Sequence, residues 1–188
     1  MTPEGQAYDQ YLAYAGEAIL RELEAVGPEG LNWPLGLPET NTMFASAFHA
    51  SMSVRSWLVV RAAGQTIERD RDAEFQARGG LEQLRDHWAE TFAMGRKALD
   101  GFREEDYRSP RHLVFLSSGE ERAGTVRDCV LHAIEHVNIH LGHIQIARQL
   151  WENRNLSASP SPSGGGYSAS PSPSGEGYSA SPSPSGRG

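Results

Sequence analysis

Apolar residues recur at three- and four-residue spacing in four long stretches of the chain, the signature of helices with one buried face. The first stretch runs from about Pro3 to Val26, with Tyr8, Leu12, Ala15, Ile19, Leu23 and Val26 on one stripe and Glu17, Arg21 and Glu24 off it. Gly27-Pro28 stops it. The second starts near Asn41 or Thr42, both good N-caps, and ends before Gly64. Phe44, Phe48, Met52, Trp57, Leu58, Val59 and Val60 make it apolar around much of its circumference, so it is expected to be mostly buried. The third spans about Leu81 to Phe102 and carries Leu84, Trp88, Phe92, Leu99 and Phe102. The fourth opens with Thr125-Val126-Arg127-Asp128, a capping box with Asp in place of Glu, and frays near Arg154. Its stripe is Val126, Val130, Ala133, Val137, Leu141, Ile144 and Leu150.

The connections are less regular. Gly30 to Pro38 is rich in proline and glycine and too long for a tight helical hairpin; Leu31, Trp33, Leu35 and Leu37 suit it to pack across the helices. The charged run Glu68 to Glu74 reads as a solvated turn or helix-end network, with arginines gripping an anionic substrate or cofactor as the functional alternative. Arg103 to Gly124 is irregular apart from the short apolar run Leu113-Val114-Phe115-Leu116, which suits a strand-like or one-turn anchor. Together these features predict an all-α fold, a four-helix bundle with long crossover connections, over residues 1–154. Residues 155–188 form a separate region in which Ser-Ala-Ser-Pro-Ser-Pro-Ser-Gly occurs three times, from Ser157, Ser168 and Ser179. With no apolar core residues and many helix breakers, this tail is expected to be disordered.

Charge narrows the function classes. The 188 residues hold 17 basic and 24 acidic side chains, a net charge of −7, and the tail contributes only Glu176 and Arg187. An acidic helical part without a basic stripe argues against nucleic-acid binding and against anionic membrane surfaces. The single cysteine, Cys129, allows no internal disulfide. With no apolar run of membrane-spanning length and no secretory-type N-terminus, a cytoplasmic location is expected.

The candidate chemistry lies in the histidines. His136 and His140 are four residues apart in the fourth helix, so both imidazoles sit on one face, one turn apart. His49 lies among small residues in the second helix and supplies a ligand from a facing element. Three neutral imidazoles suit a catalytic zinc with an open position, and equally nickel or ferrous iron. The spacing leaves alternatives open. His132, His136 and His140 form a ladder of fours that His143 continues, and His132-Ala133-Ile134-Glu135-His136 matches the H-x-x-E-H pattern of inverzincin proteases. His87 is a further candidate to line a cavity, whereas Cys129 lies about 10 Å along the helix from His136 and reads as a buried, inert thiol.

Glu39-Thr40-Asn41-Thr42 leading to Phe48-His49-Ala50, followed by Glu135-His136-Val137-Asn138-Ile139-His140-Leu141-Gly142-His143-Ile144, resembles the DinB-like superfamily. That group includes the metal-binding domain of mycothiol-dependent maleylpyruvate isomerase and the bacillithiol transferases. Gly142 matches the family's Gly-Gln after the last ligand, but His143 replaces the glutamine. The resemblance covers about residues 5–153. It implies a four-helix bundle, a divalent metal on His49, His136 and His140, and a homodimer. The implied activity is use of a low-molecular-weight thiol or a water for transfer, isomerisation or hydrolysis of a small electrophilic substrate. The alternative is a non-catalytic metal-binding bundle acting as a stress-related binding or scaffold protein.

Overall fold

Thr2 begins the first helix by accepting a hydrogen bond from the Gly5 amide at 3.0 Å, and Pro3 fits the first turn because its missing N–H has no helical partner there. In the computed structural model, which describes residues 1–38, 40–115 and 118–154, this helix is α1, Pro3–Glu24. The repeat tail, expected to be disordered, lies outside the described residues. Gly27 takes a left-handed φ of 66° and turns the chain into a short helix, α2, Gly27–Leu31.

Thr42 is the cap of α3, Met43–Val54, accepting from the Ala45 amide at 3.1 Å. The helix continues without a break as a π-helical segment, Arg55–Ala62, which Gly64 ends at φ 71°. Asp70 caps α4, Arg71–Gln76, inside the charged run. Then come α5, Leu81–Asp100, a 3₁₀ turn, Glu104–Arg108, and α6, Val126–Asn153. The capping box of α6 is reciprocal: the Thr125 amide donates to Asp128 at 2.7 Å and the Asp128 amide donates to the Thr125 hydroxyl at 3.3 Å.

The four predicted long helices are thus present as α1, α3 with its continuation, α5 and α6, and they pack around one core. Ile19, Leu23, Leu58, Leu84, Trp88, Leu99, Val137 and Ile144 are all fully buried there. Burial of each such side chain is worth about 1.5–3 kcal/mol before entropy is counted. At Gly16, α1 comes so near α5 that an added Cβ would lie 2.6 Å from the Phe92 ring and 2.8 Å from that of Trp88. No described helix is long and apolar enough to cross a membrane.

The all-α expectation needs a correction. The fold is mostly helical, but the Leu113 run extends into one of two antiparallel strands, β1, Pro110–Phe115, paired with β2, Glu120–Thr125, most of it expected to be irregular; Pro110 lies opposite Thr125 and Phe115 opposite Glu120. Leu113 anchors this hairpin in the core, and Gly124 lies against it so closely that a Cβ would meet Leu113 Cδ1 at 2.5 Å. The second strand reads Glu-Glu-Arg-Ala-Gly-Thr and is largely exposed, so it has no alternating apolar pattern to betray it.

Candidate metal centre

His49 is carried by the most thoroughly buried helix, with only 4% of its surface exposed. Helix α6 packs across α3 and presents His136 and His140 to it. The Nε2 atom of His136 lies 3.2 Å from Nε2 of His49 and 3.1 Å from Nε2 of His140. The three residues each offer a ligand atom within 4.8 Å of the others, the one such group of histidine, cysteine or acidic side chains among the described residues.

The other nitrogen of His49 is fixed. Its Nδ1 is 2.6 Å from Glu74 Oε2; an ionised carboxylate can only accept, so Nδ1–H is the donor and Nε2 faces the other two rings. Glu74 comes from α4 and is buried at 2% exposure. Arg69 grips it as a fork, with Nε donating to Oε1 at 2.6 Å and Nη2 to Oε2 at 3.0 Å. Burial pushes the Glu74 pKa up, but the hydrogen bonds from Arg69 and His49 outweigh it and hold the carboxyl below its ordinary range. A buried carboxylate therefore stays charged and orients the ring.

His136 and His140 are neutral in this setting. Burial, reinforced by the neighbouring imidazoles, pulls the pKa of His136 down to about 4 and that of His140 to about 3. Neutral imidazole is the ligating form. The packing also fits a cation better than protons. One N–H on His136 Nε2 can be donated to His49 or to His140, not to both, so two short nitrogen–nitrogen contacts exceed what hydrogen bonding can satisfy. Tetrahedral zinc with bonds of about 2.05 Å sets its nitrogen ligands about 3.3 Å apart, close to both separations.

Two cavities flank the cluster. A cleft of about 80 Å³ reaches His49 and His136 and is walled by Trp57, Phe115 and His132. A larger cavity of about 340 Å³ reaches His140 and is mainly apolar, with Leu35, Leu37, Ile146 and Leu150 in its walls.

The remaining candidates are placed elsewhere. His132 lines the small cleft but turns Nδ1 to Glu135 at 3.3 Å and packs its ring 4.1 Å from Trp57, outside the three-histidine group. The pair that meets His49 is therefore 136/140 and not 132/136. His143 is exposed beside His140, at 5.7 Å between ring centroids, and borders the apolar cavity. His87 stacks on Phe48 and contacts Arg55. Cys129 is buried, and burial lifts its thiol pKa to about 11, as expected of an inert thiol. Glu74 and Arg69 were not singled out by the sequence; a lone buried carboxylate inside a run of alternating charges looks like its solvated neighbours.

Comparison with known proteins places this arrangement in a family. None of the curated proteins matches the sequence. The fold is similar to that in the crystal structure of a conserved protein from Enterococcus faecalis, with a TM-score of 0.61, 15% identity, and coverage of 81% of this chain and 99% of that one. The sequence model of the DinB superfamily matches residues 11–144, through all four long helices and across His49, His136 and His140, and the chain belongs to that superfamily.

Proposed function

We propose that residues 1–154 form a four-helix bundle in which His49, His136 and His140 hold one divalent metal ion and act as a small-molecule enzyme centre. The convergence of three imidazole nitrogens from α3 and α6 carries this reading. The superfamily's general metal binding supports it. A metal held by His49, His136 and His140 would supply a Lewis acid able to acidify a water or a thiol.

The protein's own residues do the rest. Glu74 fixes the His49 tautomer, and Arg69 keeps Glu74 ionised. The hydrocarbon around His136 and His140 keeps both unprotonated near neutral pH. The cleft beside His49 and His136 gives a small electrophile or thiol a route to the centre, which favours catalysis over a closed structural site. Reactions consistent with such a centre are thiol transfer, thiol-dependent isomerisation and hydrolysis.

Elemental analysis of the purified chain tests the reading. The expected result is about one metal per chain, falling close to zero in His49→Ala and in His140→Ala and retained in His132→Ala. Unchanged content in the first two variants overturns the site, and loss in His132→Ala alone moves it to the other histidine pair.

A further inference from the structure

Among the described residues, the small cleft beside the histidines is lined by three arginines, Arg61, Arg69 and Arg71, and by no carboxylate, in a chain whose net charge is −7. Arg69 is committed to Glu74. Arg61 and Arg71 have no carboxylate partner among the described residues and are held by neutral groups. Arg61 donates to Ser56 and, at 3.2 Å, to the Val114 carbonyl, and its guanidinium lies 4.4 Å over the Trp57 ring. Those bonds use at most three of its five N–H groups. Arg71, at the start of α4, lies 5.0 Å over the Phe75 ring.

Placement follows from the backbone. Ser53, Trp57 and Arg61 are four residues apart and all line the cleft, where α3 passes into the π-helical segment. A guanidinium partly removed from water without a counter-ion is unfavourable, and burial pulls the Arg61 pKa below its ordinary value. An anion in the cleft would relieve that cost at Arg61, and Arg71 lines the same cleft.

We infer that Arg61 and Arg71 form a subsite for the carboxylate of the small molecule handled at the three-histidine centre. A planar carboxylate matches the guanidinium fork, and the volume of the cleft suits a head group of a few atoms but not a nucleotide. Trp57 and Phe115 give the carbon skeleton beside that group an apolar wall. The substrate assignment rests on the metal-centre reading; the anion subsite itself does not.

The full chain, metal-loaded and metal-free, is titrated with acetate and with inorganic phosphate, and nuclear magnetic resonance follows the guanidinium and Trp57 indole signals. Acetate is expected to bind both forms saturably. Arg61→Gln and Arg71→Gln should each weaken it at least fivefold, and their combination should abolish it. Metal content and circular dichroism should stay unchanged, and Arg96→Gln on the surface should have no effect. Arg61→Lys should recover part of the loss. Acetate binding unaltered in the double variant, or no saturable binding to the wild type, overturns the subsite. Phosphate binding tenfold tighter than acetate overturns the carboxylate assignment. A wild type that holds no metal yet binds acetate through both arginines sinks the metal reading alone.

Discussion

Two buried polar networks hang from the same continuous helix, six residues apart, and they end differently. Arg55, only about a tenth exposed at its side chain, closes on itself: Nε donates to Thr91 at 2.7 Å, and Nη2 donates to the His87 carbonyl and to Glu90, each at 2.9 Å. His49 starts a chain of similar polarity through Glu74 and Arg69, but its other nitrogen faces two further imidazole nitrogens. Both networks contain a histidine whose pKa burial pulls to about 4, His87 in one and His136 in the other. A perturbed pKa therefore does not separate scaffold from site here. What separates them is that the Arg55 guanidinium ends on acceptors of α5, whereas three imidazole nitrogens from two helices crowd together around His136 Nε2.

The sharpest way to break the contrast is to cut the closed network. Arg55→Ala removes the donors to Thr91, to the His87 carbonyl and to the solvent-exposed Glu90, and with them the tie between the π-helical segment and α5. The expected cost is about 2 kcal/mol of stability in denaturant unfolding, as for loss of hydrogen bonds made by a buried charged donor. Metal content should be unchanged. Metal loss in a folded Arg55→Ala protein would show that the two networks are one unit.

A smaller effect is expected from Glu74→Gln, which keeps the shape of the side chain and removes its charge. The His49 ring loses the acceptor that sets its tautomer, and Arg69 loses its counter-ion. Loss of such an orienting carboxylate typically weakens metal binding about 10–100-fold while the site still fills at high metal. Competition against a chelator of known affinity measures it. Affinity equal to that of the wild type would reduce Glu74 to a structural ion-pair partner.

Much of this contrast could be read from the sequence, and the limits are physical. Thr42 and Thr125 mark helix starts because their side-chain oxygens satisfy free amides, a local rule that needs no tertiary information. The spacing of His136 and His140 is likewise local. Convergence with His49 depends on how α6 registers against α3, so the residues alone left 132/136 and 136/140 both open. The π-helical character of Arg55–Ala62 left no trace, since the same apolar residues read equally well as an α-helix. Glu74 was hidden because charge runs are usually solvated, and burial of one carboxylate is decided by a histidine 25 residues away.

The least disruptive probe of the comparison is pH, applied to His87. Its ring is packed against Phe48 and faces Arg55, Glu90 and, at longer range, Glu74. Burial and the Arg55 charge pull its pKa from the ordinary 6.5 to about 4, against the weaker opposing pull of the two glutamates. Between these values the unfolded chain binds a proton that the folded chain refuses, so acidification favours unfolding. The stability that comes from a neutral His87 is fully present above about pH 6.5 and is lost progressively as pH falls toward 4. His87→Gln cannot take up that proton. Denaturant midpoints of wild type and His87→Gln should therefore run parallel above pH 7 and converge or cross on acidification to pH 4.5, the variant showing the flatter profile. Metal content at pH 7 should be equal in the two proteins, because His87 contacts none of the three clustered imidazoles. Parallel profiles through the whole range would mean that His87 takes up its proton as readily in the fold as in the unfolded chain, and the resemblance between its environment and that of His136 would disappear.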